Sequence, residues 1–298
     1  MTSCPRVRPA VWESSCHSSN RVVVVASSSD PYVRQKTGHD GIKTPNTAVP
    51  ITFEAVVSDM TSETVTDAAR VSSGRPRVGV VGCGLMGSGI AEVCGRAQLD
   101  VIVVESSPAA VSAGTARIAR SVQRATDRGL ISDADQVLNY ITICDDLGSL
   151  EDRTIVIEAI AEDEASKIAL FRSLDGIIQD HSAILASNTS SIPIMKLAGA
   201  THRPSHVMGI HFFNPVPVLS LVELIPSLFT QEEVVARARA FVEVELGKHA
   251  IRCQDRAGFV VNALLIPFIL SAIRMLESGP AAGVIGAFIL STIIVTPI

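Results

Sequence analysis

The sequence predicts an α/β protein, a doubly wound sheet of parallel strands with helices on both faces. Three observations carry that prediction. From residue 77 to 277, short β-branched runs alternate with amphipathic stretches, the pattern of repeated strand–helix–strand units. The first run leads directly into G-x-G-x-x-G, with Gly82, Gly84 and Gly87 opening a helical stretch. The second run closes on an acid, Glu105.

In chain order, residues 78–81 read VGVV and form the first strand, and 86–97 follow as a helix. The VIVVE run at 101–105 is the second strand, followed by a long amphipathic helix at 109–128 and a short one at 134–138. Strands are expected at 141–144 (ITIC), 154–160 (TIVIEAI) and 183–187 (AILAS), each rich in β-branched or apolar residues. The helix at 163–179 lies between the last two, and 193–198 is a short helix after them. Strands at 207–212, 219–224 and 249–253 complete the sheet, with one helix at 231–246 between the last pair. Gly247 and Lys248 suit that helix's C-terminus, where a left-handed glycine and a cation are both favoured. A final helix spans 259–276.

Composition narrows the class. The 298 residues are 47% hydrophobic, too apolar for a disordered or collagen-like chain. A net charge of −5 disfavours non-specific nucleic-acid binding, which needs a basic balance. The six cysteines, Cys4, Cys16, Cys83, Cys94, Cys144 and Cys253, show neither paired nor metal-ligand spacing and read as reduced core residues of a cytoplasmic protein. Residues 1–75 are Ser-, Thr- and Pro-rich and read as a disordered leader, within which Met60 is read as the true start. The arginines of the first thirty residues, Arg6, Arg8 and Arg21, keep a mitochondrial transit peptide, and so the mitochondrial matrix, as the alternative. Residues 278–298 carry no charge, and their length approaches the ~20 residues of a membrane span. They read as an atypical tail, with a membrane anchor formed by residues 283–298 as the rival.

The glycine motif has the context that gives it meaning. Gly82 permits a tight turn, Gly84 lets the backbone approach a pyrophosphate, and Gly87 lets helix and strand pack closely. The helix N-terminus offers unpaired amides and a positive dipole end to phosphates. Glu105 then accepts ribose hydroxyls and repels a 2′-phosphate, so the cofactor expected of this Rossmann-type sheet is NAD.

Among the seven histidines, His211 stands out because it lies at the end of an apolar strand, where doubly wound sheets bind ligands. An imidazole there can take a proton from an alcohol while hydride leaves the same carbon. Glu223, an acid flanked by apolar residues in the next strand, is its candidate partner. Spacing alone leaves an ordinary core histidine equally open. Asn188 and Ser190 follow another strand and face the same crevice or cap the next helix. Glu158 and Glu162 follow a third strand, with Lys167 one turn on, and Asn262 is a lone amide on an apolar helix.

In this order, VGVVGCGLMGSGIAEV, IEAIAED, ASNTSSIPI, HFFNPVPVLSLVELI and DRAGFVVNALL resemble the L-3-hydroxyacyl-CoA dehydrogenase family, and within it the 3-hydroxybutyryl-CoA dehydrogenases of actinobacteria. The resemblance covers about residues 77–277 and implies a role for each matching position. His211 would be the general base and Glu223 the carboxylate that orients it. Ser190 and Asn262 would bind the substrate's 3-oxygen and thioester region. Gly82, Gly84, Leu85, Met86, Gly87, Glu105, Glu162, Lys167 and Asn188 would hold NAD. The implied reaction is the reversible oxidation of a short-chain (3S)-3-hydroxyacyl-CoA by NAD⁺ to the 3-oxoacyl-CoA, in fatty acid or butanoate metabolism.

Two departures bear on that implication. Ala257 stands where many members have proline, a change expected to be mild. After Glu277 the family continues with charged helices that form its homodimer interface and one wall of the cleft. Residues 278–298 do not match them, so the expected organisation is a leader (1–75), a Rossmann domain (76–254) and the first helix of a truncated all-α domain (255–298). The homodimer is therefore in doubt, and a non-catalytic dinucleotide-binding product remains a rival to the enzyme. The related 3-hydroxyacid dehydrogenases share the glycine loop but would use a catalytic lysine in place of His211.

Overall fold

The computed structural model describes residues 74–277. The expected leader, the Met60 start, Cys4, Cys16 and the apolar tail lie outside the described residues. Eight strands form one sheet in the order β3-β2-β1-β4-β5-β6-β7-β8. They are β1 (Arg77–Val81), β2 (Asp100–Val104), β3 (Ile141–Cys144), β4 (Ile155–Glu158), β5 (Ile184–Ser187), β6 (Val207–Phe212), β7 (Leu221–Pro226) and β8 (His249–Arg252). The helices are α1 (Leu85–Arg96), α2 (Pro108–Asp127), α3 (Ala134–Leu138), α4 (Glu164–Ile177), α5 (Ile194–Ala198), α6 (Glu232–Ala240) and α7 (Val261–Glu277). Strand order reverses between β1 and β4, which opens a crevice at their carboxyl ends.

Neighbours on a strand face opposite sides, so a sheet covered on both faces needs apolar residues at every position. On one face Val78, Val80, Ile155, Ile157, Met208, Ile210, Val222 and Leu224 pack with α1, α2 and α6. On the other, Val156, Leu185, Val207 and Ile225 pack with Phe171 and Leu174 of α4 and with Ile194 and Leu197 of α5. Cys83, Cys94 and Cys253 are buried and Cys144 half-buried, all as free thiols. Burial pushes the Cys83 thiol up to about 11 and those of Cys94 and Cys253 up to about 12.

Three features differ from expectation. The sheet is mixed: β7 runs antiparallel to β6, and β8 is parallel to β7. The connection at 213–220 is too short for the crossover of a dozen or more residues that a parallel pair needs. The single helix expected at 231–246 is α6 continued by a π-helical turn, Phe241–Glu245. Gly247 follows it with φ 62, as a left-handed C-terminal glycine should. Lys248 closes that helix end through its backbone amide, which donates to the Val242 carbonyl at 3.0 Å, but its cation does not. Its side chain is buried, and its ammonium donates to the carbonyls of Val216 and Leu219 at 2.7 Å, holding the turn between β6 and β7.

Candidate active site

The dinucleotide loop follows β1. Gly82 has φ 91, and a Cβ there would lie 2.8 Å from the Ala159 carbonyl oxygen. At Gly87 a Cβ would lie 1.8 Å from the Gly82 carbonyl oxygen, so this glycine sets how closely α1 approaches the strand. Gly84 is different, because a Cβ there would meet nothing within 4 Å. It is also the N-cap of α1, which has no capping side chain, so the first-turn amides remain for an anion. Leu85 is exposed beside it, and Met86 packs against the core. Glu105 is tied into this loop. Its carboxylate accepts from the Cys83 amide at 2.6 Å and the Ser106 amide at 3.0 Å. Arg117 on α2, not singled out from the sequence, donates to the Cys83 carbonyl. The open space at Gly84, the free amides and the acid fit an adenine dinucleotide with an unphosphorylated ribose.

The second cluster closes the ends of β4 and β5. Glu158 is fully buried, and its carboxylate accepts from the Lys167 ammonium, the Ile160 amide and the Ser187 hydroxyl. Lys167, 1% exposed, also pairs with Glu162 at 3.3 Å, so it braces this corner from beneath. A buried cation between two carboxylates is held by pairing that offsets its desolvation. Glu162 gathers the 188–191 loop: it accepts from the Thr189 hydroxyl, the Ser190 and Ser191 amides and the Ser191 hydroxyl. Burial works to raise the Glu162 pKa, but those hydrogen bonds and the Lys167 charge hold it at about 2. The cap reading of this loop does not hold. Thr189 accepts from the Ile192 amide and so closes the loop before α5 without capping that helix, whose N-cap, Pro193, has no side-chain bond, while the Ser190 hydroxyl has only a 3.4 Å contact with Glu162. Asn188 accepts from the Phe212 amide at 2.8 Å, binding the ends of β5 and β6 together.

The third cluster holds the expected base. His211 and Glu223 are direct cross-strand partners in the β6–β7 register, which puts both side chains on one face. His211 Nδ1 lies 2.8 Å from Glu223 Oε2, and both residues are buried. That bond commits Nδ1 and leaves Nε2 as the nitrogen able to exchange a proton. Glu223 Oε1 accepts the amides of Val260 and Val261, at 3.0 and 2.9 Å, where α7 begins. Burial works against the charge on Glu223, yet the His211 bond, the two amides and the imidazole's charge hold its pKa below the usual carboxylate range. Asn262 is half-buried in the first turn of α7, so Glu223 anchors both the histidine and the helix carrying this amide.

Sequence reasoning missed Asp255, whose carboxylate accepts the Ile194 and Met195 amides at 2.9 Å and ties the turn before α7 to the start of α5. Phe259 was also missed, although its ring packs against His211. The one available signal was the Asp-x-x-Gly-Phe pattern at 255–259.

Comparison with known proteins bears on the same stretch. The model of the 3-hydroxyacyl-CoA dehydrogenase NAD binding domain matches residues 77–256. A 3-hydroxybutyryl-CoA dehydrogenase of Mycobacterium tuberculosis is 55% identical over 205 residues, covering 68% of this chain and 72% of that one. The human mitochondrial hydroxyacyl-coenzyme A dehydrogenase is 36% identical over 213 residues, covering 69% of this chain and 67% of its own length. Among solved structures, M. tuberculosis FadB2 superposes with a TM-score of 0.68 at 54% identity, covering 70% and 73% of the two chains. The (S)-3-hydroxybutyryl-CoA dehydrogenase PaaH1 of Ralstonia eutropha gives 0.66 at 41% identity, covering 68% and 72%. Identity at this level, extending over two thirds of the chain, settles its descent: it belongs to the 3-hydroxyacyl-CoA dehydrogenase family and uses NAD.

Proposed function

We propose that the chain interconverts a short-chain (3S)-3-hydroxyacyl-CoA, such as 3-hydroxybutyryl-CoA, with its 3-oxoacyl-CoA. The observation that carries this reading is the buried His211–Glu223 pair at the carboxyl end of β6. In the oxidative direction His211 Nε2 takes the proton of the 3-hydroxyl, and Glu223 stabilises the imidazolium that forms. When bound, NAD⁺ supplies the acceptor for the hydride leaving C3. Ser190 and Asn262 donate to the 3-oxygen and the thioester region, which keeps the reacting carbon in register. Gly82, Gly84, Leu85, Met86 and Gly87 cradle the pyrophosphate, and Glu105 accepts the adenosine ribose hydroxyls. Glu162 and Lys167 shape the nicotinamide side together with Asn188. In reduction His211 returns its proton to the developing alkoxide.

The relatives include bacterial and mitochondrial enzymes, so a cytoplasmic setting is proposed, with the matrix as its rival. Among the described residues no helix is long and apolar enough to cross a membrane.

Acetoacetyl-CoA-dependent oxidation of NADH by the purified protein tests the reading. The expected outcome is turnover that falls by about 10²–10⁴ in His211→Asn, the usual worth of a general base. Glu223→Gln should fall as well, with NADH affinity kept in both variants. Retained NADH binding without turnover in the unmodified protein overturns the enzyme in favour of a non-catalytic binder. Full activity in both variants would assign the chemistry to another residue type, such as a catalytic lysine.

A further inference from the structure

We infer that Phe259 is a positioning residue for the general base: together with Phe213 it fixes the tilt of the His211 imidazole. The inference rests on the function proposed above. Phe259 has φ 48, in the left-handed region that residues bearing a side chain occupy only at a cost. Glycine or asparagine would make the same turn with less strain. The chain already spends a glycine one position earlier, at Gly258 with φ 76, and still places a phenylalanine next.

The turn achieves two things at once. It delivers the next two amides, Val260 and Val261, to Glu223 Oε1. It also carries the phenyl ring to 5.5 Å from the imidazole centroid, at an interplanar angle of 61°. Phe213 approaches the same imidazole at 4.7 Å and 66°. Both contacts have edge-to-face geometry, which is directional as well as apolar. The turn is held locally by the Phe259 amide donating to the Arg256 carbonyl at 2.9 Å.

The two rings supply what the Glu223 bond cannot. One hydrogen bond at Nδ1 restrains the two side-chain torsions of His211 incompletely. The Nε2 nitrogen, across the ring, would sweep the widest arc under any residual rocking. Two rings in edge contact close off that motion. Phe259 is only 7% exposed and also belongs to the core beside α5, so the competing explanation is simple core filling.

The test compares Phe259→Leu, Phe259→Tyr and Phe213→Leu. The readouts are kcat and KM for 3-hydroxybutyryl-CoA, the Kd for NADH, the isotope effect of substrate deuterated at C3, and thermal melting. Phe259→Leu should lower kcat roughly tenfold to a hundredfold, as a misplaced catalytic group does, and leave the NADH Kd within about twofold. The isotope effect should rise, because the chemical step becomes slower than product release. Phe259→Tyr should restore both, and Phe213→Leu should lower kcat in the same manner. A core filler would instead lower the melting temperature and leave kcat and the isotope effect unmoved, and that result overturns the inference. If Phe259→Leu fails to fold, an unchanged kcat in Phe213→Leu overturns it equally. Absence of turnover in the unmodified protein would be a failure of the proposed function. The inference is then read from ring-¹³C histidine spectra, with His211 assigned by its loss in His211→Asn. One sharp His211 line that broadens or doubles in Phe213→Leu supports it, and a line that stays sharp overturns it.

Discussion

Glu162 shows how one side chain turns a polar loop into a fixed part of the site. Its carboxylate collects donors from Thr189, Ser190 and Ser191 and sits beside the Lys167 ammonium. Together these overcome partial burial and bring its pKa from the ordinary 4.5 to about 2. A depressed carboxylate pKa in the folded state stabilises the fold at pH above the unfolded value and is lost as pH falls through the folded one. Melting temperature measured against pH should therefore fall for the protein between pH 4.5 and 2 more steeply than for Glu162→Gln. The variant should already be less stable at neutral pH. Other paired acids, among them Asp175 and Glu223, add to the acid limb of both proteins, so the difference between the curves is the readout. Parallel curves would show that the loop does not depend on the Glu162 charge. Legibility at this scale depended on distance along the chain. His211 and Glu223 could be paired from sequence because the two strands that carry them are consecutive. The bonds from Glu223 to Val260 and Val261, from Asp255 to Ile194 and from Lys248 to Val216 join segments too far apart for any local pattern to reveal.

At the scale of elements, the β1–α1 unit was readable because each glycine answers a separate steric demand. Those demands predict different failures. Gly87→Ala puts a Cβ onto the Gly82 carbonyl, so α1 must move away from the strand, and both melting temperature and NADH affinity should fall. Gly84→Ala meets no protein atom within 4 Å, so the fold should melt normally while NADH affinity drops by about tenfold or more. Fluorescence titration with NADH beside a melting curve separates the two, and normal NADH binding by Gly84→Ala would place the pyrophosphate elsewhere. The same pattern-reading misjudged β7 and α6 for identifiable reasons. Periodicity marks a strand but carries no direction, and the length of the 213–220 connection was the overlooked clue to the antiparallel pair. The π turn at Phe241–Glu245 keeps the apolar spacing of an ordinary helix, with Phe241 and Val242 buried, so its wider winding leaves no trace in composition.

Across the described residues, the candidate site has two parts that share a sheet but no side-chain hydrogen bond or ion pair. Glu105 and the glycine loop belong to β1 and β2, at one side of the switch in strand order. His211 and Glu223 belong to β6 and β7, beyond β4 and β5 on the other side. Groups with no shared partner act additively to within about 0.3–0.5 kcal/mol, whereas groups working through one bond do not. Glu105→Gln should therefore weaken NADH binding and leave kcat at saturating NADH unchanged, and its effect on kcat/KM should add to that of His211→Asn. The pair His211→Asn and Glu223→Gln should behave oppositely. Once the imidazole is gone, Glu223 has no base left to orient, so the double variant should be about as slow as His211→Asn alone. Any further loss in that double variant would measure the second task of Glu223, holding the start of α7 and with it Asn262, and Asn262→Ala in the His211→Asn background should reproduce it. Strong coupling between Glu105 and His211 would contradict the division and require a path through β4 and β5, where Glu158 and Lys167 are the buried link to examine.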